Sequence, residues 1–322
     1  MSVNTQKKDI NRLRLFSGSL KTELFLVIIL IILFVVFSTT SDVFFKFDNL
    51  KTLLRQTSIY GIVAIGMLFV ITSSGIDLSV GSVIGLSGVI TAICLSRGLP
   101  LPIAIILSLV LSAAVGLVNG ALVHDGKVPP FIATMGTMTV VRALIMLITG
   151  AKMISGLPKA FKGLAQMNVI GLPFLFVAWF IIILIAWFIT KKTVFGRNIF
   201  AYGSNKEAAR LSGINVRTTI YGVYIFSSVI CGIAGILLTA RLGNGVPTAG
   251  DGYELDAIAA AVVGGASLDG GEGSVIGAVL GAIIMATLRQ GGTLLGINSF
   301  ILEIIIGSLI VIAVLLDKMR KH

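Results

Sequence analysis

Long apolar runs recur along the whole chain and constrain its fold more than any other feature of the sequence. A helix needs about 20 mostly apolar residues to cross the hydrocarbon core of a bilayer. The sequence therefore predicts an all-α fold, a polytopic transmembrane helix bundle of about ten spans. The runs are Leu24–Phe37, Gln56–Thr72, Leu78–Leu95, Leu101–Val123, Phe131–Ile148, Phe174–Ile189, Thr218–Leu242, Leu255–Leu268, Val275–Leu288 and Ser299–Leu316.

The composition excludes a soluble protein. Apolar residues make up 56% of the 322 residues, and charged residues make up only 12%. A typical soluble domain carries roughly 25% charged residues, so the charges here are too few to cover a water-facing surface. A soluble enzyme and a nucleic-acid binder are thereby excluded, and the formal net charge of +11 needs another explanation.

The distribution of the basic residues supplies that explanation. They concentrate in both chain ends and in the loops His124–Lys127 and Lys191–Arg217, which share one side if the number of spans is even. Lys and Arg favour the cytoplasmic side of a membrane. We therefore expect both termini in the cytoplasm, with an N-terminal tail over 1–23, a single transmembrane domain over 24–317 that includes the cytoplasmic loop 191–217, and a C-terminal tail over 318–322.

Two of the runs are short for a complete crossing. At about 1.5 Å per residue, Leu255–Leu268 and Val275–Leu288 do not reach across the hydrocarbon core. They form either a re-entrant hairpin or two short helices packed inside the bundle. The first run is expected to remain as an uncleaved span, because no small-residue cleavage site follows it.

The sequence holds no motif for bond chemistry. It has no G-x-x-x-x-G-K-[ST] phosphate loop and no Ser-His-Asp set. The two histidines, His124 and His322, are far apart and lack metal-ligand spacing. We therefore predict no enzymatic activity, no cofactor and no metal.

Four ionisable residues lie within or near spans: Asp77, Arg142, Asp256 and Glu303. Charged side chains are costly in lipid, so we expect all four to face the bundle interior or a cavity. Arg142 needs a carboxylate or carbonyl partner, and either Asp256 or Glu303 could supply a carboxylate. Asp77 is interpreted as an N-terminal helix cap, with a coupling-ion site as the alternative.

An internal echo links two segments. Asp77–Gly85 and Asp269–Gly277 share aspartate, glycine and the string Ser-Val-Ile-Gly at matching positions. Transporters are often built from repeats with broken helices at matching positions. The echo is either such a repeat or a coincidence of a composition rich in Gly, Val and Ile.

The polar loop Lys191–Arg217 contains the signals of a short helix. Asn205 can cap a helix over Lys206–Leu211, and Gly213 can end it. A capped basic helix between two spans is typical of a docking element, and the alternative is a helix that lies on anionic lipid.

At this helix the sequence resembles a known family. Glu207, Ala208, Ala209 and Gly213 match the EAA loop of ABC-transporter permeases, although the proline of the usual continuation is missing from Val223–Phe226. Longer strings between about Asn49 and Asp317 resemble the ribose-type sugar permeases of the branched-chain amino acid/ribose permease family, with Ala266 where many relatives carry Thr. The strings are Ser74–Gly81, Pro130–Thr134, Pro247–Ala260 and Gly264–Gly273.

The resemblance implies an ATP-driven importer of a monosaccharide, with ribose as the first choice, in the bacterial plasma membrane. It implies a homodimer, an ATP-binding subunit that docks on Glu207, Ala208, Ala209 and Gly213 and carries the ATP hydrolysis, and an extracytoplasmic solute-binding protein. A nucleic-acid partner is not expected. The alternative is an ion-coupled secondary transporter of a small polar solute, which Asp77, Glu303 and the echo suggest.

Overall fold

A computed structural model describes residues 3–321 of the chain, with side chains described for residues 22–315, 318 and 319. Residues 1, 2 and 322 of the predicted tails lie outside this range. Within it the chain is built from helices and one small hairpin. In chain order the helices are α1 (Val3–Thr40), α2 (Phe47–Thr72), α3 (Val80–Ser96), α4 (Leu101–His124), α5 (Pro130–Thr149), α6 (Lys159–Leu164), α7 (Phe174–Lys192), α8 (Val194–Ser204), α9 (Lys206–Leu211), α10 (Val216–Leu242), α11 (Tyr253–Val263), α12 (Val275–Leu294) and α13 (Ser299–Lys321), and the strands are β1 (Asn168–Val169) and β2 (Leu172–Pro173).

Seven helices of the described chain are long and apolar enough to cross a membrane: α1, α2, α4, α5, α7, α10 and α12. Three further apolar helices are candidates for the remaining predicted spans. They are α3 with 17 residues, α11 with 11, and the apolar part of α13, Ser299–Leu315. The all-α class is confirmed, while the count of ten and the cytoplasmic position of both termini stay predictions.

The two short runs have different outcomes. Helix α12 extends to Leu294 and has 20 residues, so the expectation that this run is too short to cross is wrong. Helix α11 is truly short and spans about 16 Å, half of the hydrocarbon core. It packs between α2 and α12, and its alanines are buried. A Cβ atom at Gly281 of α12 would overlap the carbonyl oxygen of Ala260, so the close approach of α11 requires glycine there.

The core of the bundle is formed by α2, α3 and α10, with α4, α7, α11 and α12 packed around them. Every residue of α2 from Thr57 to Thr72 is buried, as expected for a helix that is apolar on all sides. The outer helices instead present large apolar side chains on the surface, such as Ile28, Ile106, Leu144 and Phe188. This apolar surface is suited to contact with lipid.

Two irregular segments enter the bundle. The first, residues 73–79, separates α2 from α3. The second, residues 243–252, joins α10 to α11 and runs beside α3, where a Cβ at Gly245 would meet the side chain of Ala92 and one at Gly85 would meet the carbonyl oxygen of Ala249. Non-helical backbone at membrane depth is tolerated only where it is buried in protein or lines a cavity. These two segments therefore bring polar backbone groups into the interior of the bundle.

Candidate functional site

Asp77 lies in the first irregular segment and is completely buried. Its Oδ1 accepts hydrogen bonds from the backbone nitrogen and the hydroxyl of Ser79, at 2.9 and 2.6 Å. Asn119 of α4 in turn donates to the Ser79 hydroxyl at 2.8 Å. The carboxylate thus closes an Asx turn just before α3. The N-cap residue of α3 is Ser79, so the interpretation of Asp77 as the N-cap itself is wrong.

Thr134 of α5 holds the same segment from its other side. Its hydroxyl accepts from the backbone nitrogen of Leu78 at 3.1 Å and lies 3.1 Å from the carbonyl oxygen of Ile76. The break between α2 and α3 is therefore fixed by side chains from both α4 and α5. These contacts cover the polar groups that a broken helix would otherwise leave unsatisfied.

The expectation that Asp256 or Glu303 pairs with Arg142 is wrong, whereas Arg142 does have carboxylate and carbonyl partners, as expected. Its Nη2 lies 2.5 Å from Oδ1 of Asp251, and its Nη1 donates to the carbonyl oxygens of Ala249 and Pro247 at 3.0 and 3.4 Å. The second irregular segment descends beside α3 and brings these groups to α5. The sequence places Asp251 in an apparent loop, so nothing there indicates that it lies next to the middle of a span.

Asp256 pairs with Arg289 instead. The Nη2 of Arg289 in α12 donates to Oδ1 of Asp256 in α11 at 2.7 Å, and Asp256 is only 3% exposed. Glu303 lies on the exposed face of α13 and has no ion pair with any residue whose side chain is described. The expectation that Glu303 faces the interior is therefore wrong, since α13 packs on α11 and α12 through its other face.

Arg142 and Asp251 line a cavity of about 510 Å³, which we name the α5 cavity. Glu254 of α11 also lines it, and its Oε2 is buried and finds no hydrogen-bond partner among the described side chains. The α5 cavity therefore combines one guanidinium, two carboxylates and a hydroxyl with apolar walls, a mixture that can bind several hydroxyl groups of a polar solute. Its lining residues are Met138, Thr139, Arg142, Ala143, Met146, Asp251 and Glu254.

The predicted short helix is confirmed as α9. The side chain of Asn205 accepts from the backbone nitrogen of Ala208 at 2.9 Å, and Gly213 follows the helix with a φ of +80°, a conformation that favours glycine. Glu207 and Arg210 form an exposed ion pair, and the hydrogen bond from Arg210 lowers the pKa of Glu207. The helix itself is thus stabilised by its own sequence.

The two alanines of α9 face opposite ways. Ala208 is exposed, whereas Ala209 is 4% exposed and packs into the protein. Of the predicted docking residues, Ala209 therefore packs α9 against the rest of the protein and does not lie on the outer surface of the helix. Leu211, which sequence reasoning missed, is 74% exposed. Its signal was an apolar side chain beside the charged residues of a polar loop.

Three distant segments meet beside α8, at a place that we name the junction. The hydroxyl of Ser74 lies 2.9 Å from the carbonyl oxygen of Gly203 and 2.8 Å from that of Asp269. The backbone nitrogen of Gly271 donates to the carbonyl oxygen of Thr72 at 2.8 Å. The junction joins the end of α2, the end of α8 and the loop before α12, so it connects the segment α8–α9 to the broken helix.

A second contact links α4 to the start of α10. Asp125 accepts from the hydroxyl of Tyr221 at 2.6 Å and from Nη2 of Arg217 at 3.0 Å, and His124 lies 2.6 Å away. The hydrogen bond from Tyr221, followed by that with His124, lowers the pKa of Asp125 to about 2. The carboxylate is therefore ionised throughout the physiological pH range.

Comparison with known proteins gives matches that cover nearly the whole chain. The family described as "Branched-chain amino acid transport system / permease component" matches residues 49–314. The ribose import permease RbsC of Bacillus subtilis (strain 168) is 40% identical over 294 residues, which cover 91% of each chain. The RbsC of Haemophilus influenzae (strain ATCC 51907 / DSM 11121 / KW20 / Rd) is 42% identical over 294 residues, covering 90% of this chain and 91% of the relative. The xylose transport system permease XylH of Escherichia coli (strain K12) is 38% identical over an alignment of 374 residues, with 95% of each chain covered.

No solved structure matches the chain. The family match begins in α2 and ends in α13, so it includes the broken helix, the α5 cavity, α9 and the junction. Seven membrane-crossing candidates lie among the described residues. The chain is accordingly a multi-pass membrane protein that belongs to the branched-chain amino acid transport system permease family.

Proposed function

We propose that the chain is the membrane-spanning permease subunit of an ATP-driven importer for a monosaccharide, with ribose as the first candidate. The observation that carries this proposal is the 40–42% identity to ribose import permeases over about nine tenths of both chains. The xylose permease among the relatives supports the broader class of pentoses. The chain belongs in the bacterial plasma membrane with the loop 191–217 in the cytoplasm.

The α5 cavity is the proposed path of the sugar. A monosaccharide is a neutral molecule whose hydroxyl groups both donate and accept hydrogen bonds, and Arg142, Asp251, Glu254 and Thr139 offer both kinds of partner. The Oε2 of Glu254 is buried against Gly81 of α3, so Glu254 meets a solute only through the part of its side chain that lines the cavity. Such groups bind the sugar weakly enough to release it, because the water lost from each hydroxyl is replaced by only one or two protein contacts.

A second copy of the chain is the proposed cover of the α5 cavity. Asp251 is 57% exposed in its side chain, although its partner Arg142 lies near the middle of α5. A charged pair at that depth is costly if lipid covers it. A homodimer in which two α5 cavities face one another keeps these charges in a shared polar path.

Helix α9 is the proposed contact of a separate ATP-binding subunit, which would also carry the ATP hydrolysis. Its outer surface presents Glu207, Ala208 and Leu211. Movement of α9 would reach the broken helix through Gly203 and Ser74 of the junction. An extracytoplasmic solute-binding protein would deliver the sugar at the opposite end of the bundle.

The experiment that tests the function is sugar uptake by proteoliposomes that contain the chain with its ATP-binding subunit and binding protein. Labelled ribose should accumulate only with ATP, and a protonophore should leave the rate unchanged. Uptake that proceeds without ATP and collapses with the protonophore would establish the ion-coupled alternative instead.

Arg142→Gln is expected to lower ribose uptake by roughly 10- to 100-fold, because hydrogen bonds to a charged group contribute about 1.5–3 kcal/mol. The change releases Asp251 and the carbonyl oxygens of Ala249 and Pro247 from α5. The measurement is the initial uptake rate per folded molecule. Glu303→Gln serves as the control, since Glu303 is exposed and outside the α5 cavity. Equal rates for the two variants would remove Arg142 from the path.

Ala208→Arg is expected to abolish co-purification with the ATP-binding subunit while the yield of folded permease stays normal. The new side chain projects from the exposed side of α9, so it obstructs a docked partner without disturbing the bundle. Val194→Arg, at an exposed position of α8, is the matched control. Retained co-purification and uptake of Ala208→Arg would show that docking occurs elsewhere.

A further inference from the structure

A second cavity, of about 340 Å³, lies next to the junction, and we name it the basic cavity. Its walls come from the α2–α3 break, the loop between α4 and α5, the segment α8–α9 and the start of α10. Its volume is within the usual range of small-molecule sites. The lining residues are Ser73, Ser74, Gly75, Val123, His124, Lys127, Val128, Pro129, Pro130, Tyr202, Lys206, Val216, Ile220 and Tyr224.

Positive charge dominates this cavity. Lys127 and Lys206 reach it from different segments, and neither forms an ion pair with any residue whose side chain is described. Lys206 instead lies over the ring of Tyr202, with its Nζ 5.7 Å from the ring centroid. None of the described carboxylates lines the cavity, and the neighbouring Asp125 already contacts Arg217, Tyr221 and His124. Two unpaired lysines favour an anion, and Lys is a common ligand of phosphate.

Tyr224 lines the inner wall of the cavity, and its hydroxyl lies beside Gly75. Tyr224 is 2% exposed, and its hydroxyl has no hydrogen-bond partner among the described residues. A buried tyrosine hydroxyl usually has a hydrogen-bond partner, because a buried hydroxyl without a hydrogen bond costs free energy. The Tyr224 hydroxyl is positioned to bind a hydroxyl of a ligand that enters the basic cavity. The ligand is thus one that carries both an anionic group and hydroxyl groups.

We propose that the basic cavity binds a phosphorylated monosaccharide, with the phosphate at Lys127 and Lys206 and a sugar hydroxyl at Tyr224. The phosphate chemistry follows from the lysines, whereas the choice of a sugar rests on the proposed function. The cavity lies at the end of the bundle that carries α9, the end proposed to face the cytoplasm. There a sugar that has entered the cell becomes a phosphate ester by a phosphoryl-transfer reaction.

The position of the cavity gives the bound ligand a regulatory effect. Lys206 belongs to α9 and Lys127 to the loop between α4 and α5, so a phosphate that contacts both joins α9 to that loop. A ligand stabilises the arrangement that it binds better and opposes movement away from it. Movement of α9 is therefore opposed while the phosphorylated sugar is bound.

Direct binding to the purified permease in detergent tests the site, with ribose 5-phosphate, inorganic phosphate and ribose as probes. Ribose 5-phosphate should bind saturably, phosphate more weakly, and ribose not at all. Lys206→Gln and Lys127→Asn should each weaken the binding of both anions at least 10-fold. Asn suits position 127 because the backbone there has a φ of +51°. Tyr224→Phe should weaken the binding of ribose 5-phosphate and leave the binding of inorganic phosphate unchanged.

Lys191→Gln is the matched control, since it removes the same charge from the same loop outside the cavity. Absence of binding by both anions, or an equal loss in Lys191→Gln, would overturn the proposal. Binding that disappears in nanodiscs of phosphatidylglycerol but persists in phosphatidylcholine would identify a lipid headgroup as the occupant and also overturn it. Because binding is measured without transport, failure here leaves the sugar-uptake test of the proposed function intact, and the reverse also holds.

Discussion

Asp256→Ala is expected to lower the free energy of unfolding by about 3–5 kcal/mol, because it leaves the Arg289 guanidinium without its carboxylate inside the bundle. The pair is the charged contact between α11 and α12, with a separation of 2.7 Å. Tyr253 of α11 stacks beside it on Tyr60 of α2, with the ring centroids 4.7 Å apart. Loss of the pair therefore loosens α11 from both neighbours.

The measurement is equilibrium unfolding of the purified chain in mixed detergent micelles. Asp256→Leu combined with Arg289→Met should recover most of the lost free energy, because an apolar pair leaves no charge to desolvate. Asp42→Asn, which removes an exposed carboxylate from the loop between α1 and α2, should change the unfolding free energy by less than about 0.5 kcal/mol. An Asp256→Ala variant as stable as this control would show that the ion pair contributes nothing to the fold.

Gly203→Ala is expected to reduce uptake by more than about 100-fold, a loss of roughly 3 kcal/mol or more in coupling. A Cβ at this position would overlap the carbonyl oxygen of Thr72 and lie 2.6 Å from the backbone nitrogen of Gly271. Backbone atoms cannot move aside as a flexible side chain can, so α8 must separate from the end of α2. The segment α8–α9 then loses its contact with the broken helix.

Uptake and ATP hydrolysis measured together distinguish this result from simple misfolding. The Gly203→Ala complex should assemble and hydrolyse ATP without moving sugar. Gly163→Ala in α6 is the control, since no atom lies within 4 Å of a Cβ built there. Normal uptake by Gly203→Ala would mean that the junction does not transmit movement.

Local signals were sufficient for some of the structure. The helix Lys206–Leu211, its Asn205 cap and its glycine stop were predicted from adjacent residues, because capping depends on hydrogen bonds between neighbours in sequence. The membrane class followed from the lengths of the apolar runs, because a run length can be counted along the sequence without knowing how the helices pack. The turn at Asp77 is likewise local, although Ser79 and not Asp77 is the N-cap residue of α3.

The polar sites could not be predicted in this way. Arg142 contacts Asp251 because residues 243–252 run into the bundle. The hydrophobic periodicity of the sequence does not predict the course of an irregular segment. Ser74 meets Gly203 and Asp269 across separations of 129 and 195 residues. Glu303 looked like an interior charge because its span is apolar on every side, so its sequence does not identify the face that packs. Such contacts depend on how the helices are arranged.

The two ends of the bundle are fastened by different kinds of hydrogen bond. Away from α9, the backbones of Ile154 and Gly245 exchange two bonds of 2.9 Å, which the side chain of residue 154 does not affect. At the junction, the hydroxyl of Ser74 supplies two hydrogen bonds beside one backbone bond from Gly271 to Thr72. Substitution of Ser74 or Gly203 therefore removes or displaces contacts of the junction, whereas substitution of Ile154 leaves both of its backbone bonds in place. Homologous chains are accordingly expected to vary more at position 154 than at positions 74 and 203.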